Sequence, residues 1–247
     1  LQPFDFVEHF ADPMIHHRGV SVQIALACIN RRFTLETRDV QYISHRLAAR
    51  RDKFSNRFYE IKDSSVFVNP VVSQFYEPGS IFKIITMAAG LDAGLIGPQT
   101  THNCTGQVTI DGHTIRTWNN QAHGRETMTQ VLEHSCNVGA VYAANLLGQD
   151  RFYQYVKAFG FGKLTGVDLQ GEALGLLRLP GDREWNRLTM ATNAFGQSIS
   201  VTPIQMAAAV AAVANGGLYM KPYAVERMES ATGSKTVGPK PISQVIS

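Results

Sequence analysis

The stretch "FYEPGSIFKIITMAAGL", residues 75–91, constrains this chain more than any other. Pro78-Gly79 punctuates it, and an apolar run with helical spacing follows from Ile81 to Leu91. A turn and then a helix are expected, the helix running from about Ser80 to Ala93, stopping at Gly94 and broken again by Gly97-Pro98. A serine opens this helix and a lysine follows three residues later. Residues i and i+3 share one helix face, so Ser80 and Lys83 can touch. Two readings stay open on these residues alone. Ser80 is an ordinary N-terminal helix residue and Lys83 a solvated one, or the two form one reactive unit.

The reactive reading has a physical basis. A serine hydroxyl is a weak nucleophile at neutral pH and needs an adjacent base. Lysine serves as that base when burial disfavours its ammonium form and pulls its pKa toward neutrality. Ile81, Phe82, Ile84 and Ile85 supply apolar flanks for such burial. The helix N-terminus also directs N–H groups and partial positive charge at the site, which suits an oxyanion on a substrate carbonyl. By itself Ser-x-x-Lys is a weak signal, since chance supplies about one in a chain of this length. A second element adds weight. "HSCNVGA" sets Ser135 and Asn137 between two expected helices. A second hydroxyl can relay a proton, and a carboxamide can orient a lysine or hold a substrate amide. Helix capping is the structural alternative for both residues.

Elsewhere the chain reads as ordinary globular protein. Its 247 residues are 44% hydrophobic, enough for a sizeable core. The net charge of +3 is too weak to argue for nucleic acid, and the N-terminal arginines (Arg31, Arg32, Arg38, Arg46, Arg50, Arg51) read as a solvated face. Cys28, Cys104 and Cys136 show no zinc-ligand spacing, and the odd count argues against a disulfide framework. The histidines, among them His16, His17, His102, His113, His123 and His134, form no i, i+4 helical pair, so surface or structural roles are expected. No run reaches the 18 to 20 apolar residues of a membrane span, and no signal peptide is visible at Leu1. The chain starts without methionine, which is expected of a piece of something longer.

Local patterns predict further elements. Phe33–Leu35 reads as a strand end, and a helix capped by Thr37 or Asp39 is expected to reach about Arg51. "GVSVQIALACI" (19–29) fits strand or helix equally. "QVTIDGHTIRTW" alternates around Asp111-Gly112, a strong hairpin signal. Short helices are expected over Thr127–His134, from Ser135 to about Gly148, and over Arg151–Phe159. "FGFGKLTG" invites a phosphate-loop reading, but Leu164 stands where Ser or Thr is needed and a helix precedes the loop, so a helix exit is expected. "SVTPIQMAAAVAAVANGG" reads as a helix with Thr202 as N-cap, Pro203 in its first turn and Gly216 past its end. "LYMKPYAVERMES" suggests a strand.

Taken together, these segments resemble the transpeptidase domain of class B penicillin-binding proteins, leaning toward the division-specific and sporulation branch. "YEPGSIFK" is similar to the family's nucleophile segment and "TMTQVLEHSCNVGAVYAA" to its second motif. "FGFGKLTGVDLQGE", "FGQSISVTPIQMAAAVAAVANGG" and "FTLETRDVQYI" extend the likeness over about residues 33–225. The resemblance implies an α/β fold, with an antiparallel sheet flanked by helices and an all-helical subregion, and a partial transpeptidase domain over 33–247 after a poorly assignable segment 1–32. It implies D,D-transpeptidation of peptidoglycan stem peptides through an acyl-serine. Ser80 would be the nucleophile and Lys83 its base. Ser135 would relay the proton, and Asn137 would hold Lys83 and the substrate. The Ser80 N–H would be half of the oxyanion hole, and β-lactams would be covalent inhibitors. Glycosyltransferase, divisome or elongation partners, a membrane-anchored extracytoplasmic location and no metal or organic cofactor are also implied. A non-catalytic interaction module and a β-lactam hydrolase or sensor of the same superfamily are the alternatives.

Two departures stand out. The family's third motif, Lys-Thr-Gly, has only "SKTVGPK" as a near match; Val237 replaces the glycine, so Lys235 is expected on a surface turn and the true motif beyond Ser247. The strand pair that the family places before the nucleophile has no counterpart in "RRDKFSNRFYEIKD", so an incomplete sheet is expected.

Overall fold

A computed structural model describes residues 68–230 and 232–247. The expected strand end and helix over 33–51 and the ambiguous segment 19–29 lie outside these residues. The first described helix, α1, is a single turn, Pro70–Ser73, with Asn69 as its N-cap and Pro at its start. A 3₁₀ turn, Gly79–Phe82, then runs directly into α2, Lys83–Asp92. The expected helix is therefore present, but its first turn is tighter than α. Gly79 adopts φ +60° to enter that turn, and Gly94 adopts φ +66° just past the end of α2.

Strands β1 (Thr101–Cys104), β2 (Gln107–Ile110), β3 (His113–Arg116) and β4 (Gly124–Thr127) follow. β2 and β3 form the expected hairpin, with Asp111 at φ +47° and Gly112 at φ +81°, the two left-handed residues of a tight hairpin turn. β1 pairs antiparallel with β4 around this hairpin, setting His102 opposite Glu126 and Cys104 opposite Gly124. Local alternation does not announce that pairing, because each strand is only four residues long and largely polar.

Helix α3, Met128–Glu133, starts on a Thr127 capping box, with Gln130 returning a bond to the cap. Helix α4, Asn137–Ala158, joins the second and third expected helices. Gly148, at φ +72° and ψ +164°, kinks it where the sequence places a stop. Helix α5, Arg187–Asn193, starts on an Asn186 capping box with Thr189. Helix α6, Pro203–Ala214, starts as expected on Thr202. Strands β5 (Leu218–Lys221) and β8 (Lys240–Gln244) pair, as do β6 (Arg227–Ser230) and β7 (Gly233–Thr236). The fold is mixed α/β, as expected, and the described strands form four separate two-stranded antiparallel sheets rather than one. Lys235 and Thr236 lie on the exposed strand β7, opposite Met228 and Arg227, rather than on a turn.

Helix α2 is the hub. It packs against α4 and α6 through small faces: Ala88 and Ala89 on α2, Ala140 and Ala144 on α4, Ala208, Ala209 and Ala212 on α6. Alanines let helix axes approach closely, and larger residues fill the space beside them. Phe82, fully buried, lies at 5.1 Å from the ring of Phe161 in the "FGFG" segment. Phe82→Ala is expected to cost about 3–5 kcal/mol of unfolding free energy, measured by urea denaturation, because it empties the core directly beneath Ser80 and Lys83.

Candidate active site

Ser80 stands on the 3₁₀ turn and is solvent-exposed, while Lys83, one turn further on, is 1% exposed. Phe82 and Ile85, on either side of Lys83 in sequence, are buried in the main core. The turn is clamped from behind by the segment after α5. Gly79 N–H donates to Gly196 O at 2.9 Å, and Thr86 Oγ1 donates to Ala194 O at 2.8 Å. Tyr76 pairs with Val201, and Glu77 Oε1 accepts from Ser198 N–H at 2.8 Å. The segment "FGQSISVTP", part of the likeness noted above, forms the back wall of the Ser80 turn.

The second motif arrives from the α3–α4 turn. Ser135 takes φ +54°, a left-handed position where glycine usually ends a helix. Its N–H bonds Leu132 O and the next N–H, of Cys136, bonds Val131 O. This turn carries Ser135 to Lys83. Lys83 Nζ is 3.0 Å from Ser80 Oγ, 2.8 Å from Ser135 Oγ and 2.6 Å from Ser135 O. Ser135 Oγ donates to Ser80 Oγ at 2.8 Å. Ser80, Lys83 and Ser135 thus close a three-membered hydrogen-bonded ring. Asn137, the first residue of α4, lies on the same turn, and its Nδ2 donates to Arg116 O at 2.9 Å on β3. The hydrogen bonds of Lys83 Nζ run to Ser80 and Ser135, and Asn137 ties the second motif to the β2–β3 hairpin.

Burial pulls the Lys83 pKa from its ordinary 10.5 down to about 8, and the charge of an ionised Cys136 would act in the opposite direction. An ammonium donates to all three oxygens around it. Once deprotonated, two N–H groups suffice for Ser135, and the lone pair is left to accept the Ser80 hydroxyl proton. Acylation at Ser80 is therefore expected to rise with pH through about 8 and level off above it. A stopped-flow pH profile with a chromogenic β-lactam measures this, and a flat profile from pH 6 to pH 10 would contradict it.

Beside this ring lies a second polar cluster. Cys104, His123, Glu126 and Cys136 bring one donor atom each to within 4.8 Å of one another. His102 and His134 flank it, at 2.8 Å and 3.0 Å from the two oxygens of Glu126. His102 and His123 take the structural side of the expected roles, turned inward onto the buried Glu126 carboxylate, while His134 reaches it from a more exposed position. No local spacing announces the cluster. The β1–β4 register assembles it.

The transpeptidase domain of penicillin-binding proteins, as a family model, matches residues 37–247. The chain belongs to this family. It is 41% identical to the stage V sporulation protein D of Bacillus subtilis over 202 residues, which cover 80% of this chain and 31% of that protein. It is 33% identical to the peptidoglycan D,D-transpeptidase MrdA of Acinetobacter baumannii, over 66% of this chain and 26% of that one. Among solved structures, the penicillin-binding protein 3 of Mycobacterium tuberculosis complexed with ampicillin superposes with a TM-score of 0.67 at 34% identity, covering 72% of this chain and 39% of that one. The chain spans less than a third of the length of these two sequence relatives.

Proposed function

We propose that this penicillin-binding chain carries the acylation centre of a peptidoglycan D,D-transpeptidase. The observation that supports it best is the buried, pKa-lowered Lys83 shared between Ser80 Oγ and Ser135 Oγ. Ser80 Oγ attacks the carbonyl of the penultimate D-alanine of a stem peptide as Lys83 Nζ takes its proton. The Ser80 N–H, at the head of the 3₁₀ turn, donates to the resulting oxyanion. Collapse of the tetrahedral intermediate breaks the peptide bond. The leaving D-alanine amine gains the proton that passes from Lys83 through the Ser135 hydroxyl, which touches Lys83 and Ser80. An amine of a neighbouring stem then attacks the acyl-serine by the reverse proton path and forms the cross-link. Asn137, with Nδ2 on Arg116 O, offers its carboxamide oxygen to a substrate N–H.

Binding of β-lactams follows from the same chemistry, because attack of Ser80 opens the strained lactam ring and leaves no departing amine. Work at the outer face of the cell membrane, in division, sporulation or elongation complexes, belongs to the same proposal. Among the described residues no helix is long and apolar enough to cross a membrane. The chain is tested by labelling with a fluorescent penicillin, mapping the labelled peptide and following the label through overnight dialysis. A label on Ser80 that persists supports a transpeptidase. Rapid loss with release of the opened lactam would instead mark a hydrolase.

A further inference from the structure

We propose that Cys104, His123, Glu126 and Cys136 form a four-ligand site for one zinc ion that anchors the second catalytic motif. The residues come from separate elements. Cys104 ends β1, His123 immediately precedes β4, Glu126 lies within β4, and Cys136 caps α4. Alternation along a strand places His102 and Cys104 on one face, and both are buried. The register sets that face against Glu126, which is 2% exposed.

The chemistry of the group fits zinc better than a plain core. Cys104 Sγ and Cys136 Sγ are 3.2 Å apart and fully buried. Two sulfurs, one imidazole and one carboxylate are a donor set that zinc takes in tetrahedral geometry. Among the described residues, the ion-pair partners of Glu126 are histidines only: His102, His123 and His134. A cation bound among these side chains would meet the carboxylate charge directly. His123 Nδ1 is buried without a hydrogen bond, 3.5 Å from Glu126 Oε2. Such an orphaned nitrogen is a ligand position waiting for a partner. His102 and His134 then play the outer role of holding the Glu126 carboxylate in place, and the ring of His102 is itself stacked on Tyr142. Zinc binding replaces the two S–H bonds of Cys104 and Cys136 with two Zn–S bonds, the thiol protons passing to solvent, with no change of oxidation state.

The position gives the site its role. Cys136 lies between Ser135 and Asn137, the two residues that the second motif presents to Lys83 and to Arg116 O. An ion bound to Cys136 on one side and to β1 and β4 on the other fixes the strained Ser135 turn from behind.

The test uses the whole 247-residue chain. It is stripped with a chelator, reloaded with Zn²⁺ and analysed for bound metal by mass spectrometry. One zinc per chain is expected. Co²⁺ in its place is expected to give the intense visible bands and sulfur-to-cobalt absorption of a tetrahedral dithiolate site. His123→Ala is expected to weaken zinc binding at least about tenfold and His102→Ala by about 10–100-fold. Should either variant misfold, the cobalt spectrum of the parent chain decides alone. Zinc content well below one per chain, the same content in a Cys104→Ser/Cys136→Ser variant, or a Cys104–Cys136 disulfide in place of metal uptake would each overturn the proposal. Metal is counted whether or not Ser80 acylates, so failure here is distinct from failure of the transpeptidase reading.

Discussion

Lys83→Met is expected to slow acylation of Ser80 by about 10²–10⁴-fold, the usual contribution of a positioned general base. The variant is expected to fold. Methionine is close to the lysine stem in length and is an apolar side chain for a position that is 1% exposed. Ser135, only half-buried, can turn to water for the hydrogen bonds it loses. A second signature separates loss of a base from loss of structure. In the folded chain Lys83 gives up its proton at about 8, whereas the unfolded chain keeps it to 10.5. Between these values the unfolded state binds more protons, so stability rises with pH across that window. The full difference corresponds to roughly 3 kcal/mol. Lys83→Met removes the ionisable group, so this rise is expected to vanish along with the activity. Urea denaturation at pH 8 and pH 10 measures it. A variant that acylates at the parental rate would contradict the assignment of Lys83 as base.

Gly196→Ala is the second large effect. A Cβ there would sit 2.2 Å from Gly79 O, 2.7 Å from Gly79 N and 2.8 Å from Phe82 Cβ. These atoms belong to the backbone of the nucleophile turn and to its buried anchor, which cannot swing aside as a flexible side-chain tip does. The residue also holds φ +79°, which alanine adopts only with strain. The substitution is expected to cost roughly 2–4 kcal/mol and to slow acylation, because relief of the clash moves Gly79 and with it Ser80. Denaturation and the acylation rate, measured on the same sample, check both halves. Gly94→Ala is a useful control, since it shares the positive φ but has open space around its Cβ.

Local chemistry was legible in the sequence wherever one short segment carried the whole signal. Ser80 and Lys83 meet because three residues of helix bring them together, and the Asp111-Gly112 turn and the Thr202 cap are equally self-contained. Ser135 was legible as a candidate, yet its left-handed turn was not, because serine gives no warning of a position that glycine usually fills. The partner of Asn137 was hidden for a different reason. Arg116 O is a backbone group, and only the β3 register delivers it. The Cys104–Cys136 cluster is the clearest case. Its members lie on β1, just before and within β4, and at a helix cap, so their spacing along the chain is not that of a zinc site. The wall formed by Ala194–Val201 escaped notice because its work is done by carbonyls and an N–H, which carry no residue signature.

The central claim is that Ser80 is the acyl-carrying nucleophile. Intact mass after incubation with benzylpenicillin, run beside Ser80→Ala, tests it most directly. One added penicillin per parent chain and none on a folded Ser80→Ala variant is the result the geometry predicts. An adduct that survives in Ser80→Ala, or no adduct on a folded parent chain, would contradict it.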